Sequence, residues 1–147
     1  MVVSTKGRYG LRVLLDVALH QKAGPVTLAD ISRRQGISQK YLWQVINPLK
    51  GAGLLSATRG ARGGYVLART PASLTMREIL AILEGPIALS ACAAGATGCE
   101  RRTDCAAAEV WSEIEEKLND ILQSITLKGI LQRSQDREDR GIPNYDI

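Results

Sequence analysis

Cys92, Cys99 and Cys105 fall within 14 residues at the spacing C-x6-C-x5-C, and the chain has no other cysteine. Thiolates bind soft metals, hold iron–sulfur clusters and exchange disulfides. Small residues, Ala93-Ala94-Gly95-Ala96-Thr97-Gly98, separate the first two and let a loop fold around a compact centre. Arg101 and Arg102 favour the ionised thiols, and a helix starting at Cys105 adds the positive end of its dipole. Structural zinc would use cysteine pairs two to four residues apart, which are absent. An iron–sulfur cluster takes four ligands, so three thiols leave one position for another donor. The clustering favours a metal or cluster site over three scattered thiols, and a redox thiol switch stays open.

A second group of residues suits a different chemistry. Ser38, Gln39, Lys40, Trp43 and Gln44 occupy the start of a helix whose other side is Leu42, Val45, Ile46 and Leu49, and the polar side carries no acid. Glutamine pairs with adenine and lysine reaches guanine or a phosphate, so such a face fits a DNA major groove. Further on, Arg59-Gly60-Ala61-Arg62-Gly63-Gly64 places two arginines on a glycine-rich tip narrow enough for a minor groove. Trp43 either stacks on a sugar or thymine methyl or packs half-buried against the hairpin that carries this tip.

Elements of defined kind must position these residues. Ser4 to about Lys22 reads as a helix with Gly10, Val13, Leu14, Val17 and Ala18 on one stripe, ended by Gly24-Pro25. Thr27 caps a short helix from Leu28 to Gln35, with Asp30 in its first turn, and Gly36 stops it. Ser38 caps a third helix to about Gly51, which Pro48 should bend or free at its last turn. Leu54 to Thr58 and Tyr65 to Leu67 read as the strands of a hairpin around the arginine tip. A fourth helix spans Thr75 to about Glu84, an irregular loop Ile87 to Asp104, and the longest helix Cys105 to about Thr126, with one more helical turn at Leu127 to Leu131. In that last helix Val110, Trp111, Ile114, Leu118, Ile121, Leu122 and Ile125 form a stripe with no evident cover in so small a domain, which points to a second copy of the chain.

Helix, helix, glycine turn, helix and basic hairpin make a winged helix-turn-helix. The expected fold is mainly α with a small β-hairpin wing and a long C-terminal dimerisation helix. Residues 1–85 form the DNA-binding domain, 86–105 the cysteine loop, 106–131 the dimerisation helix and 132–147 a polar, mobile tail. Charge agrees with this division. Residues 1–70 hold 11 Lys and Arg against 2 acids, and residues 71–147 hold 8 against 13. A basic half joined to an acidic one suits a polyanion partner, here double-stranded DNA with a palindromic site for a two-fold dimer. With 147 residues and 45% hydrophobic content the chain is no disordered protein, and with no Phe its core is aliphatic. No apolar run approaches the roughly 18 residues that span a bilayer, and Met1-Val2-Val3-Ser4-Thr5-Lys6 holds no signal stretch, so the expectation is a cytoplasmic protein without a membrane partner. No catalytic His/acid pair or phosphate-binding glycine loop is present, which argues against an enzyme. An iron–sulfur carrier or small redox enzyme docking another protein through its basic half is the reading outside DNA binding.

The segments Ser4-Thr5-Lys6-Gly7-Arg8-Tyr9-Gly10, Gly24-Pro25 to Gly36-Ile37-Ser38, Tyr41-Leu42, Arg59-Gly60 with Gly63-Gly64-Tyr65, and Ile125-Thr126-Leu127, with the three-cysteine loop followed by Trp111, resemble the IscR-type iron–sulfur cluster regulators over about residues 1–131. The resemblance implies a dimeric bacterial transcription regulator whose long helices cross and whose 2Fe–2S cluster changes which promoters are bound. It assigns Cys92, Cys99 and Cys105 as ligands and places the DNA readers in Ser38, Gln39, Lys40, Tyr41, Trp43 and Gln44, with Arg59 in the wing. Two positions depart from that pattern. The family's fourth ligand is a histidine three residues after the last cysteine, where this chain has Ala108. The sole histidine, His20, ends the first helix as a solvated residue, which leaves Glu109, Asp104 or a partner-chain group for the fourth bond. Some relatives carry an acid where Trp43 stands, so promoter preference need not follow theirs. The alternative function is a DNA-binding regulator without a cluster, using its thiols directly or sensing through a partner protein.

Overall fold

The computed structural model describes residues 2–90 and 105–140. The chain begins with α1, Thr5–His20, followed by a 3-10 turn, Gln21–Ala23. The Ser4 hydroxyl caps α1 by accepting from the Lys6 and Gly7 amides, and itself donates to Glu84 Oε1 at 2.7 Å. The start of the first helix is thereby tied to the end of α4, Met76–Glu84. Glycines at 7 and 10 make that packing possible, since a Cβ at Gly10 would collide with the Leu83 side chain and one at Gly7 with the Glu84 carboxylate.

Helices α2, Leu28–Gln35, and α3, Gln39–Gly51, follow with the caps expected of Thr27 and Ser38. Between them Gly36 takes a left-handed φ of 65°, a conformation that costs other residues more than glycine. The Ser32 hydroxyl donates to Ile37 O at 2.6 Å and closes the turn. Pro48 does not end α3, which stays helical through Gly51.

Strands β1, Leu55–Thr58, and β2, Gly64–Leu67, pair antiparallel with Leu55 opposite Leu67 and Thr58 opposite Gly64. The second strand is also fastened on its far side. Val26 and Tyr65 exchange both backbone hydrogen bonds, at 2.9 and 2.8 Å, and Gln21 Oε1 accepts from the Leu67 amide at 2.8 Å. This close approach explains Gly64, where a Cβ would lie 2.6 Å from the Val26 carbonyl oxygen.

One aliphatic core joins these elements. Val13, Leu14 and Val17 of α1 meet Ile31, Leu42, Val45, Ile46, Leu49, Leu54, Leu74, Ile79 and Leu127, all buried. The stripes expected for α1 and α3 are the ones that face it.

The carboxyl-terminal part differs from expectation in one respect. Helix α5, Ala106–Ser124, breaks at Ile125-Thr126, and α6 then runs Leu127–Asp139. The segment from Gln132 expected as a mobile tail therefore continues a helix as far as Asp139. The cause is local: Thr126 caps α6 by accepting from the Gly129 amide at 3.2 Å, and Leu127 is fully buried in the core. The α5–α6 elbow is pinned by backbone bonds, Met76 N to Ile125 O and Leu127 N to Leu74 O, both 2.8 Å. The last turns of α6 are polar because they leave the core.

Candidate nucleic-acid interface and cysteine segment

Burial sorts the residues of α3 into two faces. Leu42, Val45, Ile46 and Leu49 are buried, whereas Ser38, Gln39, Lys40, Trp43, Gln44 and Asn47 are exposed. The 3.6-residue period of a helix dictates this split once the apolar side is fixed to the core. Ser38 Oγ accepts from the Tyr41 amide at 3.3 Å and so defines where the helix begins. Tyr41 is half-buried, its ring meeting that of Tyr9 edge-on at 5.6 Å between centroids. Trp43 is 50% exposed, and the Lys50 ammonium lies 5.9 Å from its ring centroid. Its ring is therefore open to solvent and carries a cation on one side.

Arg59 and Arg62 are both exposed at the tip of the hairpin. The tip is shaped by Gly60, at φ 109°, and by Gly63, whose amide donates to Gly60 O at 2.9 Å. A side chain at Gly63 would run into the Thr58 and Gly60 carbonyl oxygens. Two flexible cations thus project from a short turn that only small residues can form.

Of the three cysteines, Cys105 alone is among the described residues. It is half-buried at the N-cap of α5, in extended backbone and without a side-chain capping bond. Cys92 and Cys99 lie outside the described residues, as does Asp104. One turn after Cys105, Ala108 is buried and offers no donor, while Glu109 is exposed. His20 stands at the end of α1 with 46% of its side chain exposed, its Nδ1 2.8 Å from Asp16 O. Among the described residues no group of three His, Cys, Asp or Glu side chains is arranged to hold a metal ion.

Sequence reasoning did not single out the polar cluster between α1 and α2. Asp16 is buried to 2% exposure. Arg34 donates to it twice, Nε to Oδ2 at 2.9 Å and Nη2 to Oδ1 at 2.6 Å, and Gln35 Nε2 donates at 2.9 Å. These bonds hold the Arg34 guanidinium above its ordinary value, already far from neutral pH. The signal available in the sequence is an acid placed beside the apolar stripe of α1, in a half of the chain with only 2 acids.

Comparison with known proteins decides the family. The model of the Rrf2 family, described as an iron-dependent transcriptional regulator, matches residues 3–133. The chain belongs to this family. It is similar to the HTH-type transcriptional regulator IscR of Xenorhabdus nematophila, 36% identical over 98% of this chain and 92% of that one. Among solved structures it resembles CymR, the global cysteine regulator of B. subtilis, at a TM-score of 0.76 and 36% identity over 90% of this chain and 98% of that one. It also resembles T. potens IscR at a TM-score of 0.73 and 36% identity over 91% and 88%. This Rrf2 chain thus shares its winged-helix fold with regulators of both kinds. No described helix is long and apolar enough to cross a membrane.

Proposed function

We propose that this Rrf2 regulator is a homodimer that grips duplex DNA with α3 and the wing and senses cluster or redox status through its cysteines. The observation that carries the DNA half is the exposed face of α3. Gln39, Lys40, Trp43 and Gln44 stand out from a helix locked by four buried aliphatic residues, and no acid interrupts them. Ser38, Gln39, Lys40, Tyr41, Trp43 and Gln44 serve as groove contacts, with Tyr41 supporting the first turn. Arg59 and Arg62 take phosphates or the adjacent minor groove. Two copies related by a two-fold axis read a palindromic site.

The dimer is supported by α5. Val110, Trp111, Ile114 and Ile121 are 53%, 44%, 43% and 57% exposed along one helix, a stripe that a second α5 would cover.

For the sensor, the donor set fits three of four positions of a 2Fe–2S cluster. Cys92, Cys99 and Cys105 hold it in this reading, and the fourth bond comes from Glu109, Asp104 or the partner chain. Bound, the cluster supplies a charge and redox change at the start of α5. The buried methyl of Ala108 and the likeness to CymR favour a second reading, in which the thiols respond directly or a partner protein reports, with no cluster.

Anaerobic purification followed by iron and sulfide analysis separates the two. The first reading expects a coloured protein whose visible absorption disappears in Cys92→Ala, Cys99→Ala and Cys105→Ala; a colourless, iron-free protein supports the second. Both readings expect DNA affinity to fall by orders of magnitude between about 50 and 200 mM salt, in proportion to the phosphates neutralised. Salt-insensitive binding would contradict both.

A further inference from the structure

The polar cluster around Asp16 runs as a chain of contacts from the inside of the domain to the first turn of α3. Asp16 is held by Arg34 and Gln35. Gln35 passes the constraint on, because its side-chain oxygen accepts Arg12 Nε at 2.9 Å and its own backbone carbonyl accepts Arg12 Nη2 at 2.7 Å. That carbonyl belongs to the end of α2, where the last carbonyls have no partner within the helix. The Arg12 guanidinium lies 5.4 Å from the Tyr9 ring centroid, and Tyr9 meets Tyr41 edge-on. Tyr41 sits one residue after Lys40 and two before Trp43. Among the described residues no buried side-chain polar atom is left without a partner.

A buried ion pair is a poor source of stability, since well-packed apolar residues often serve as well. What a fully satisfied polar network does supply is one preferred arrangement. Here the arrangement fixed is that of the α2 end and the α3 start, on the two sides of Gly36. Phosphate contacts from flexible lysines and arginines tolerate a small rotation of α3, whereas paired hydrogen bonds to a base edge do not.

We propose that Asp16, acting through Gln35, Arg12 and Tyr9, is a positioning residue that fixes how the first turn of α3 is presented, so that the network governs discrimination between DNA sequences more than binding strength. This rests on the reading of α3 as the recognition helix.

The test uses the full-length protein and two duplexes, the tightest one selected by wild type from a random pool and a random duplex of equal length, each titrated over a salt series. Gln35→Ala is the chosen variant because it removes the two side-chain links of the relay, to Asp16 and to Arg12 Nε, while it leaves the Asp16–Arg34 pair and the Arg12 bond to the residue 35 carbonyl and changes no charge. Its affinity for the selected duplex should fall about tenfold or more, the loss expected for a misaligned base contact. Random-duplex affinity should stay within about twofold and the salt slope should not change. Tyr9→Leu should show the same loss of preference, and Tyr9→Phe, which keeps the ring, should retain it. The two tyrosine variants keep the test decisive if Gln35→Ala fails to fold. Equal losses on both duplexes, or no loss in a folded variant, would overturn the proposal. A wild type that prefers its selected duplex beside variants that prefer it equally overturns this proposal alone; a wild type that holds neither duplex overturns the recognition reading and this with it.

Discussion

A carboxylate removed from water must be met by donors, and Asp16 is met by three from Arg34 and Gln35. Removing it leaves Arg34, whose side chain is 28% exposed, partly uncompensated. Asp16→Ala should therefore destabilise the protein near the lower end of the ~3–5 kcal/mol typical of breaking a buried pair, read as a fall in urea midpoint at unchanged m-value. Asp30 behaves differently because 41% of its side chain is open to solvent. The Thr27 hydroxyl donates to its Oδ2 at 2.7 Å and is the main reason its carboxyl lies below the usual 3.8, with Arg33 and Arg34 helping. A lowered value means that its contribution is complete above the unfolded value and is lost as pH falls through the folded one. Thr27→Val should move the Asp30 titration, followed by NMR, upward toward 3.8. An unmoved titration would show that the arginines dominate.

At the scale of elements, the wing depends on an approach that only glycine allows. Gly64→Ala should push β2 away from Val26, loosen the hairpin and cost about 1–3 kcal/mol, as overpacking does. Amide exchange at Tyr65 and Leu67 should speed up while that of α3 changes little. Most elements were legible in the sequence because their signals are short-range. The Thr27 and Ser38 caps, the Gly36 stop and the period of Leu42, Val45, Ile46 and Leu49 each act within a few residues. Two features were not legible, for the same reason. The extension of α6 to Asp139 depends on Leu127 finding the core and on the Ile125–Met76 bond across the fold. The Asp16 cluster joins residues 18 and 19 apart in sequence, so no local pattern announces it. Of the candidate site, the polar face of α3 was readable from helical period alone. The exposed setting of the Trp43 ring, with Lys50 beside it, was not, because side-chain packing rather than period decides it.

At the scale of the molecule, the apolar face of α5 and the basic amino-terminal half make separate demands on partners. If a second α5 covers the first, Ile114→Asp combined with Ile121→Asp should convert a dimer into a monomer in sedimentation at micromolar concentration while the winged domain keeps its melting transition. A wild type that already sediments as a monomer would contradict the dimer. In the proposed dimer the two demands are linked, because two recognition helices on one palindrome bind far more tightly than one. The most direct test of the whole account is the affinity of the Lys40→Ala/Arg59→Ala double variant for the duplex selected by wild type. The account predicts a loss of about 1–3 kcal/mol for each base-edge contact removed, or, for each phosphate contact removed, a salt slope shallower by about one unit per chain. Duplex occupancy and salt slope equal to those of wild type would contradict it.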